Sequence, residues 1–365
     1  MPLLELKKER VEEYLSNVYK KTTKVVRIVP LGSTSSNADL KGFGYGIPYL
    51  IEFTVAGETK HVVLETMRPE GFGHDYFSDR AAVLLWQHSA FNKMPKHARS
   101  VDVGSFCKDG ETLRALGDSV EFFILTEFVD GMLYHSDLDC IKDIGEKSSL
   151  DEERCVALSD YLAEIHAVKN QDSPDLYVRR IRDLIGHGEC IFGLTDSYPK
   201  SLDYVDERFF REFEKACIEW RWKLKNKTHR LSQIHGDFHP WNVMFTKGLD
   251  FTVLDRSRGE WGEPADDVSA MTINYIFYSL QLIGQIGPPF LDLFLLFWRN
   301  YIDRTCDDEI KEVIQPFYAW RSLVIASPLW YPNLSLDVRM KIFRFATKML
   351  KTKKFEYEDV ESYLK

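Results

Sequence analysis

The residues best equipped for chemistry share one stretch, Ile234-His235-Gly236-Asp237-Phe238-His239-Pro240-Trp241-Asn242-Val243-Met244-Phe245. An acid, two histidines and an amide are packed there ahead of an apolar strand. A second apolar run, Phe251-Thr252-Val253-Leu254, ends at Asp255, ten residues past Phe245. Between the runs, Thr246-Lys247-Gly248-Leu249-Asp250 reads as a hairpin turn. Asn242 then enters one strand and Asp255 leaves the other, and the hairpin returns both to the end that carries Asp237. Two acids and an amide brought together suit a divalent cation, which prefers hard oxygen ligands, plus a general base.

The elements that must position these groups are of mixed type. Residues 3–20 carry Leu3, Leu6, Val11, Tyr14, Leu15 and Val18 at helical spacing. Strand-like runs follow at 25–29, 48–55 and 59–65, the last two joined by Ala56-Gly57-Glu58. Between the first and second runs lies a Gly-rich stretch from Gly32 to Gly46. Gly-x-Gly-x-Gly alone is a weak signal, but its place between two strands suggests a phosphate cover. A helix over about 78–90, irregular sequence and a strand at 121–126 lead to Asp130-Gly131. Beyond it the chain is mostly helical, with helices over 152–168 and 209–227 and the hairpin as its only clear strands. The expectation is an α+β, two-lobed plan: a β-rich lobe over 1–128 and a larger helical lobe over 129–365.

The whole chain sets outer bounds. Its 365 residues, 44% hydrophobic and 13% aromatic, allow two lobes with ample core. A net charge of −9 argues against sequence-independent nucleic-acid binding, which needs a basic field. No apolar segment suited to a signal peptide is evident at the N-terminus. The most apolar region, 271–298, is broken by Asn274, Gln281, Gln285, Pro288, Pro289 and Asp292, so it reads as core helix rather than a membrane span. Six scattered cysteines without a CxxC pair read as reduced thiols of a cytoplasmic protein.

Several segments resemble parts of one known machine. His235-Gly236-Asp237-Phe238-His239-Pro240-Trp241-Asn242 looks like an HGDxxxxN catalytic loop, and Val253-Leu254-Asp255 like a metal-binding strand end. Trp261 to Val268 is similar to a segment in which an aspartate caps the next helix. Ile124 to Gly131 resembles a hinge between lobes, and Leu162-Ala163-Glu164-Ile165-His166 a family helix end. In this order they resemble the protein-kinase-like fold, specifically the aminoglycoside phosphotransferase and choline kinase family of small-molecule kinases.

The resemblance implies an ATP- or other nucleoside-triphosphate-dependent transfer to a small-molecule hydroxyl, with Mg as cofactor. Asp237 would be the base or hydroxyl-orienting acid, with His235 buttressing the loop. Asn242 and Asp255 would hold the magnesium. Gly32, Ser33, Gly42 and Gly44 would cover the phosphates, and backbone groups of Glu127 and Val129 would receive adenine. Asp267, just ahead of an apolar helix, is expected as its N-cap on physical grounds alone. His166 reads as a packing residue at a helix end.

One position departs from the pattern. The third strand of such a lobe normally ends in a phosphate-anchoring lysine, but Lys60 to Arg68 places Glu65 there, on one face with Val63. An inverted ion pair of Glu65 with Arg80 would keep the geometry with signs exchanged, leaving Arg68, Arg80 or Lys60 to meet the phosphates. The alternative is an impaired, nucleotide-binding scaffold. The acceptor is poorly specified: His187 and Glu189, in Gly186-His187-Gly188-Glu189, form either a substrate-contact loop or a helix stop with a turn. Asp237-x-His239 also resembles the first motif of metallophosphoesterases, but the Asn-His pair that reading needs downstream is absent from the sequence.

Overall fold

The computed structural model describes residues 5–31, 46–68, 74, 77–114 and 119–365. Among these, the chain divides into two compact units. One runs through Asp130 and takes in Leu254–Arg258; the other comprises Gly131–Val253 and Gly259–Lys365. The architecture is α+β, with an antiparallel sheet in the first unit and mostly helix in the second.

The first unit contains α1 (Lys8–Tyr19), β1 (Thr23–Pro30), β2 (Gly46–Val55), β3 (Glu58–Met67), α2 (Phe77–Phe91), β4 (Ser100–Cys107), β5 (Leu113–Arg114) and β6 (Ser119–Glu127). The strands form one sheet in the order β1-β2-β3-β6-β4-β5, every pair antiparallel. Strand alternation gives each face its own helix. Val62 and Leu64 of β3 join Ile51, Phe53, Phe123 and Leu125 against Val11 and Leu15 of α1. Met67, Phe122 and Ile124 point the other way, against Ala81, Leu84 and Phe91 of α2. Glu65 therefore shares the α2 side of the sheet with Met67, as the sequence register predicts.

The second unit contains β7 (Met132–Leu133), α3 (Tyr134–Ile144), α4 (Ser149–Ala167), α5 (Pro174–Gly186), α6 (Ile191–Ser197), α7 (Glu207–Leu224), β8 (Ser232–Gln233), β9 (Val243–Lys247), β10 (Asp250–Val253) and β11 (Trp261–Gly262). It closes with α8 (Ala265–Ile283), α9 (Phe290–Thr305), α10 (Gln315–Ala326) and α11 (Leu336–Lys351). Its helices start where capping chemistry says they should. Ser148 and Asp151 make a reciprocal capping box ahead of α4, Asp206 caps α7, and Ser335 caps α11. Every residue of α8 from Ala265 to Leu280 is buried, which makes it the axis of this core. The predicted hairpin is β9–β10, extended by β7 into a three-stranded sheet. Among the described residues no helix is long and apolar enough to cross a membrane.

Candidate active site

In the helical unit the candidate loop is fixed through its backbone. The Asp267 carboxylate accepts the N–H groups of His235 and Gly236, at 2.7 Å each, and lies 3.1 Å from His166 Nε2. All the side chains involved are buried. Burial alone would raise the Asp267 pKa, but the His166 hydrogen bond, the nearby histidines and the loop amide together hold it below the usual carboxylate range. This corrects the N-cap expectation. Helix α8 begins at Ala265 with Pro264 at its N-cap, and Asp267, inside the first turn, turns its carboxylate to the loop instead. His166, at the end of α4, also lies 2.8 Å from the Tyr301 hydroxyl, so it does more than fill space.

The loop's own groups then fall into place. His235 is buried and its Nδ1 accepts the Asp237 N–H at 3.2 Å, a supporting position. Asp237, 8% exposed, is bound by Arg321 Nη1 through Oδ1, with His239 Nε2 3.7 Å from Oδ2. The His239 ring accepts the Trp241 N–H and starts a 3₁₀ turn over Pro240–Asn242. Asn242 Nδ2 donates to the Asp237 carbonyl at 3.0 Å, leaving Oδ1 as the end of the amide available to a cation. Val243, the next residue, pairs with Val253 as the last rung of the hairpin, and Asp255 follows two residues beyond that rung.

Sequence reasoning missed Arg321. On α10 it binds Asp237 and also donates from Nη2 to Asp266 Oδ1 at 2.8 Å. A single arginine inside Phe317-Tyr318-Ala319-Trp320-Arg321-Ser322-Leu323-Val324-Ile325 is itself the signal, because a charge there must be paired. The His187/Glu189 segment is a helix end and turn: the His187 N–H donates to the Asp183 carbonyl at 3.0 Å and closes α5. His187 is exposed and Glu189 buried, with the Glu189 carbonyl 3.3 Å from Trp320 Nε1.

In the sheet unit, Asp255 adopts φ +55°, a left-handed conformation that aspartate tolerates better than most side chains and that often marks functional positions. Gln87 of α2 donates to its Oδ1 at 3.1 Å. Glu65 is half-buried, and burial first, then the neighbouring Asp255 charge, pushes its pKa up to about 8. Its carboxyl lies against the bare α-carbon of Gly46, where a β-carbon would stand 1.7 Å from Oε1. The expected Glu65–Arg80 pair is not what forms. Arg80 is 3% exposed, and it gives Nε to Glu121 of β6 at 2.7 Å and Nη1 to the His74 carbonyl at 2.7 Å. Two buried partners hold that guanidinium inside the lobe.

Of the other nucleotide candidates, Arg68 is exposed just past β3. Lys60 sits at the far end of the same strand, over the Tyr19 ring at 5.7 Å. The Glu127 N–H is spent on the Arg99 carbonyl at 2.9 Å, and Val129 is half-buried just past β6. Gly32, Ser33, Gly42 and Gly44 lie outside the described residues.

Asn242 and Asp255 each carry a hard oxygen, the donor type that magnesium prefers. Among the described residues no group of three or more His, Cys, Asp or Glu could hold a metal ion.

Comparisons with known proteins agree with this plan. The chain is similar to the solved structure of a candidate aminoglycoside phosphotransferase from Ralstonia eutropha, with 14% identity, 99% and 98% of the two chains covered and a TM-score of 0.53. It is also similar to an amicoumacin kinase in complex with AMP-PNP, Ca2+ and Ami, at 13% identity, 88% and 91% coverage and a TM-score of 0.52. At these identities the likeness is one of fold. No match is found among curated proteins. The profile of the phosphotransferase enzyme family matches residues 101–288, just over half of the 365, and the chain belongs to that family.

Proposed function

We propose that the protein transfers the γ-phosphoryl group of ATP, or of another nucleoside triphosphate, to a hydroxyl of a small molecule. The observation that carries this reading is the anchored loop. Asp267 fixes the backbone on which Asp237 stands, and Asn242 follows on the same turn. In this mechanism Asp237 orients the acceptor hydroxyl and takes its proton as the oxygen–phosphorus bond forms and the bond from the γ-phosphorus to the bridging oxygen breaks, releasing the nucleoside diphosphate. Asn242 Oδ1 and the Asp255 carboxylate are the proposed magnesium ligands, and the metal supplies neutralisation of phosphate charge. His235 keeps the Asp237 amide in place. The nucleotide is assigned to the β-rich lobe, with the backbone of Val129 toward adenine and Arg68 as the remaining candidate cation. Residues 1–128 and 129–365 are proposed as the two lobes, in a cytoplasmic setting.

The test is ADP release with Mg-ATP over a panel of hydroxyl compounds, comparing the parent with Asp237→Asn. A drop of about 10²–10⁴-fold is expected for loss of a general base. An unchanged rate would remove Asp237 from the chemistry.

Glu65 favours a second reading, a nucleotide-binding scaffold with impaired transfer. A carboxyl where a lysine is expected cannot attract a triphosphate. Nucleotide-dependent thermal stabilisation without turnover on any acceptor would select it.

A further inference from the structure

Glu263, between β11 and α8, is fully buried and unused by the mechanism above. Arg230 Nε donates to its two oxygens at 3.0 and 2.9 Å, and Arg230 Nη2 to Oε1 at 2.7 Å. The same carboxylate accepts the Tyr177 hydroxyl at 2.7 Å and the Ala265 N–H, in the first turn of α8, at 3.3 Å. Arg230 is buried as well, and its other edge donates to Asp307 at 2.7 and 2.8 Å, just past α9. A carboxylate taken out of water is tolerated only with such pairing, so Glu263 has strong reason to stay where these donors put it.

The pair sits at one end of a short ladder whose other end is the loop. Ser232 and Gln233 of β8 pair with Gly262 and Trp261 of β11, and the Ile234 N–H donates to the Glu260 carbonyl at 3.0 Å. His235 and Gly236 come next, with their N–H groups on Asp267. The chain therefore closes a ring. It runs from Arg230 along β8 to His235, across to Asp267, back through the first turn of α8 to Glu263, and across to Arg230. Asp267 is one cross-link of that ring and Glu263 the other. A shift of the first turn of α8 against β8 must stretch both. Misplacement of a catalytic group by about 1 Å can cost about 10²-fold in rate, so the second cross-link bears on chemistry that it never touches.

Resting on the phosphotransferase reading, we propose that Glu263, held by Arg230, is a positioning residue for the loop that carries Asp237. It fixes the first turn of α8, so that Asp267 presents its carboxylate to His235 and Gly236 at bonding distance. It contacts no reacting group and acts through Asp267. Losing it frees the two loop amides before the rest of the helical unit opens, and slows transfer more than it weakens nucleotide binding.

Peptide-resolved hydrogen exchange of the full chain and Glu263→Gln tests this without requiring turnover. The variant keeps the side chain's shape, removes its charge, and leaves Arg230 paired with Asp307. Exchange over residues 234–237 should rise about tenfold, the scale of a lost charge-assisted hydrogen bond, while α11 stays within about twofold of wild type. A uniform rise across both segments marks a merely structural role and overturns the proposal, as does no rise at 234–237. Should Glu263→Gln not fold, Tyr177→Phe removes one donor from the same carboxylate, and a rise of about threefold confined to 234–237 is expected; its absence overturns the proposal. Steady-state kinetics on any acceptor that turns over should show kcat of Glu263→Gln down about tenfold with KM for ATP within about twofold. A raised KM with unchanged kcat overturns the positioning role. Absence of ADP release by wild type over the hydroxyl panel sinks the phosphotransferase reading, whereas the exchange pattern judges the hold on the loop.

Discussion

His166 Nε2 and Asp267 Oδ2 lie 3.1 Å apart in the core of the helical unit, one from the end of α4 and the other from the first turn of α8. The same carboxylate holds two loop amides, so Asp267→Ala strands buried donors as well as a histidine. Breaking such a buried, charge-assisted set costs about 3 kcal/mol, measured by urea unfolding. The sign with pH follows from a folded pKa held below the ordinary 3.8. The contribution is fully present above the unfolded pKa and is lost as pH falls through the lowered folded value. Asp267→Ala should therefore be destabilised at neutral pH and lose less than the parent on acidification. An identical acid limb in parent and variant would refute this.

Glu65 titrates the opposite way. Its carboxyl is pushed from 4.5 to about 8, so the folded protein binds its proton more tightly than the unfolded chain does. Stability then falls as pH rises across that window. Glu65→Gln should melt above the parent at pH 8, with the gap closing towards pH 5. A constant difference across that range would show that the carboxyl does not titrate there.

Arg80→Ala leaves Glu121 buried without its guanidinium, and about 3 kcal/mol of stability should go with it. Arg80→Ala combined with Glu121→Gln should recover part of that loss, because the stranded charge is gone. Additive losses in the double-mutant cycle would mean that the pair is not coupled.

Gly131→Ala tests the entry to the helical unit. A β-carbon at Gly131 would stand 2.5 Å from the Phe245 carbonyl oxygen, a backbone atom of β9 that cannot swing aside. The expected cost is about 1–3 kcal/mol in unfolding free energy. A neutral substitution would show that β7 can move away from β9.

The elements the sequence revealed were those whose pattern is repetitive. Apolar alternation marked β2 and β3, and the hairpin announced itself by Gly248 between two apolar runs. Strand β4 falls in sequence without a clear strand signal because it carries Asp102 and Gly104, residue types depleted in strands. Both have packing reasons that no local pattern displays. Tyr14 donates to Asp102, and a β-carbon at Gly104 would lie 2.4 Å from the Phe123 ring. The loop residues were legible from type and spacing, and Glu65 from strand register. The acid on Arg80, the guanidinium on Asp237 and the histidine on Asp267 are not, since each comes from dozens of residues away and only the tertiary fold brings the pair together.

Successive residues of the first turn of α8 divide two tasks. Asp267 grips the loop backbone, and Asp266 gathers Arg180 and Arg321. One carboxylate sets where the loop backbone runs, and its neighbour collects one arginine from α5 and another from α10. A change at Asp266 therefore loosens how those two helices are tied to α8, while a change at Asp267 releases the loop itself, so two adjacent positions of one helical turn fail in different ways.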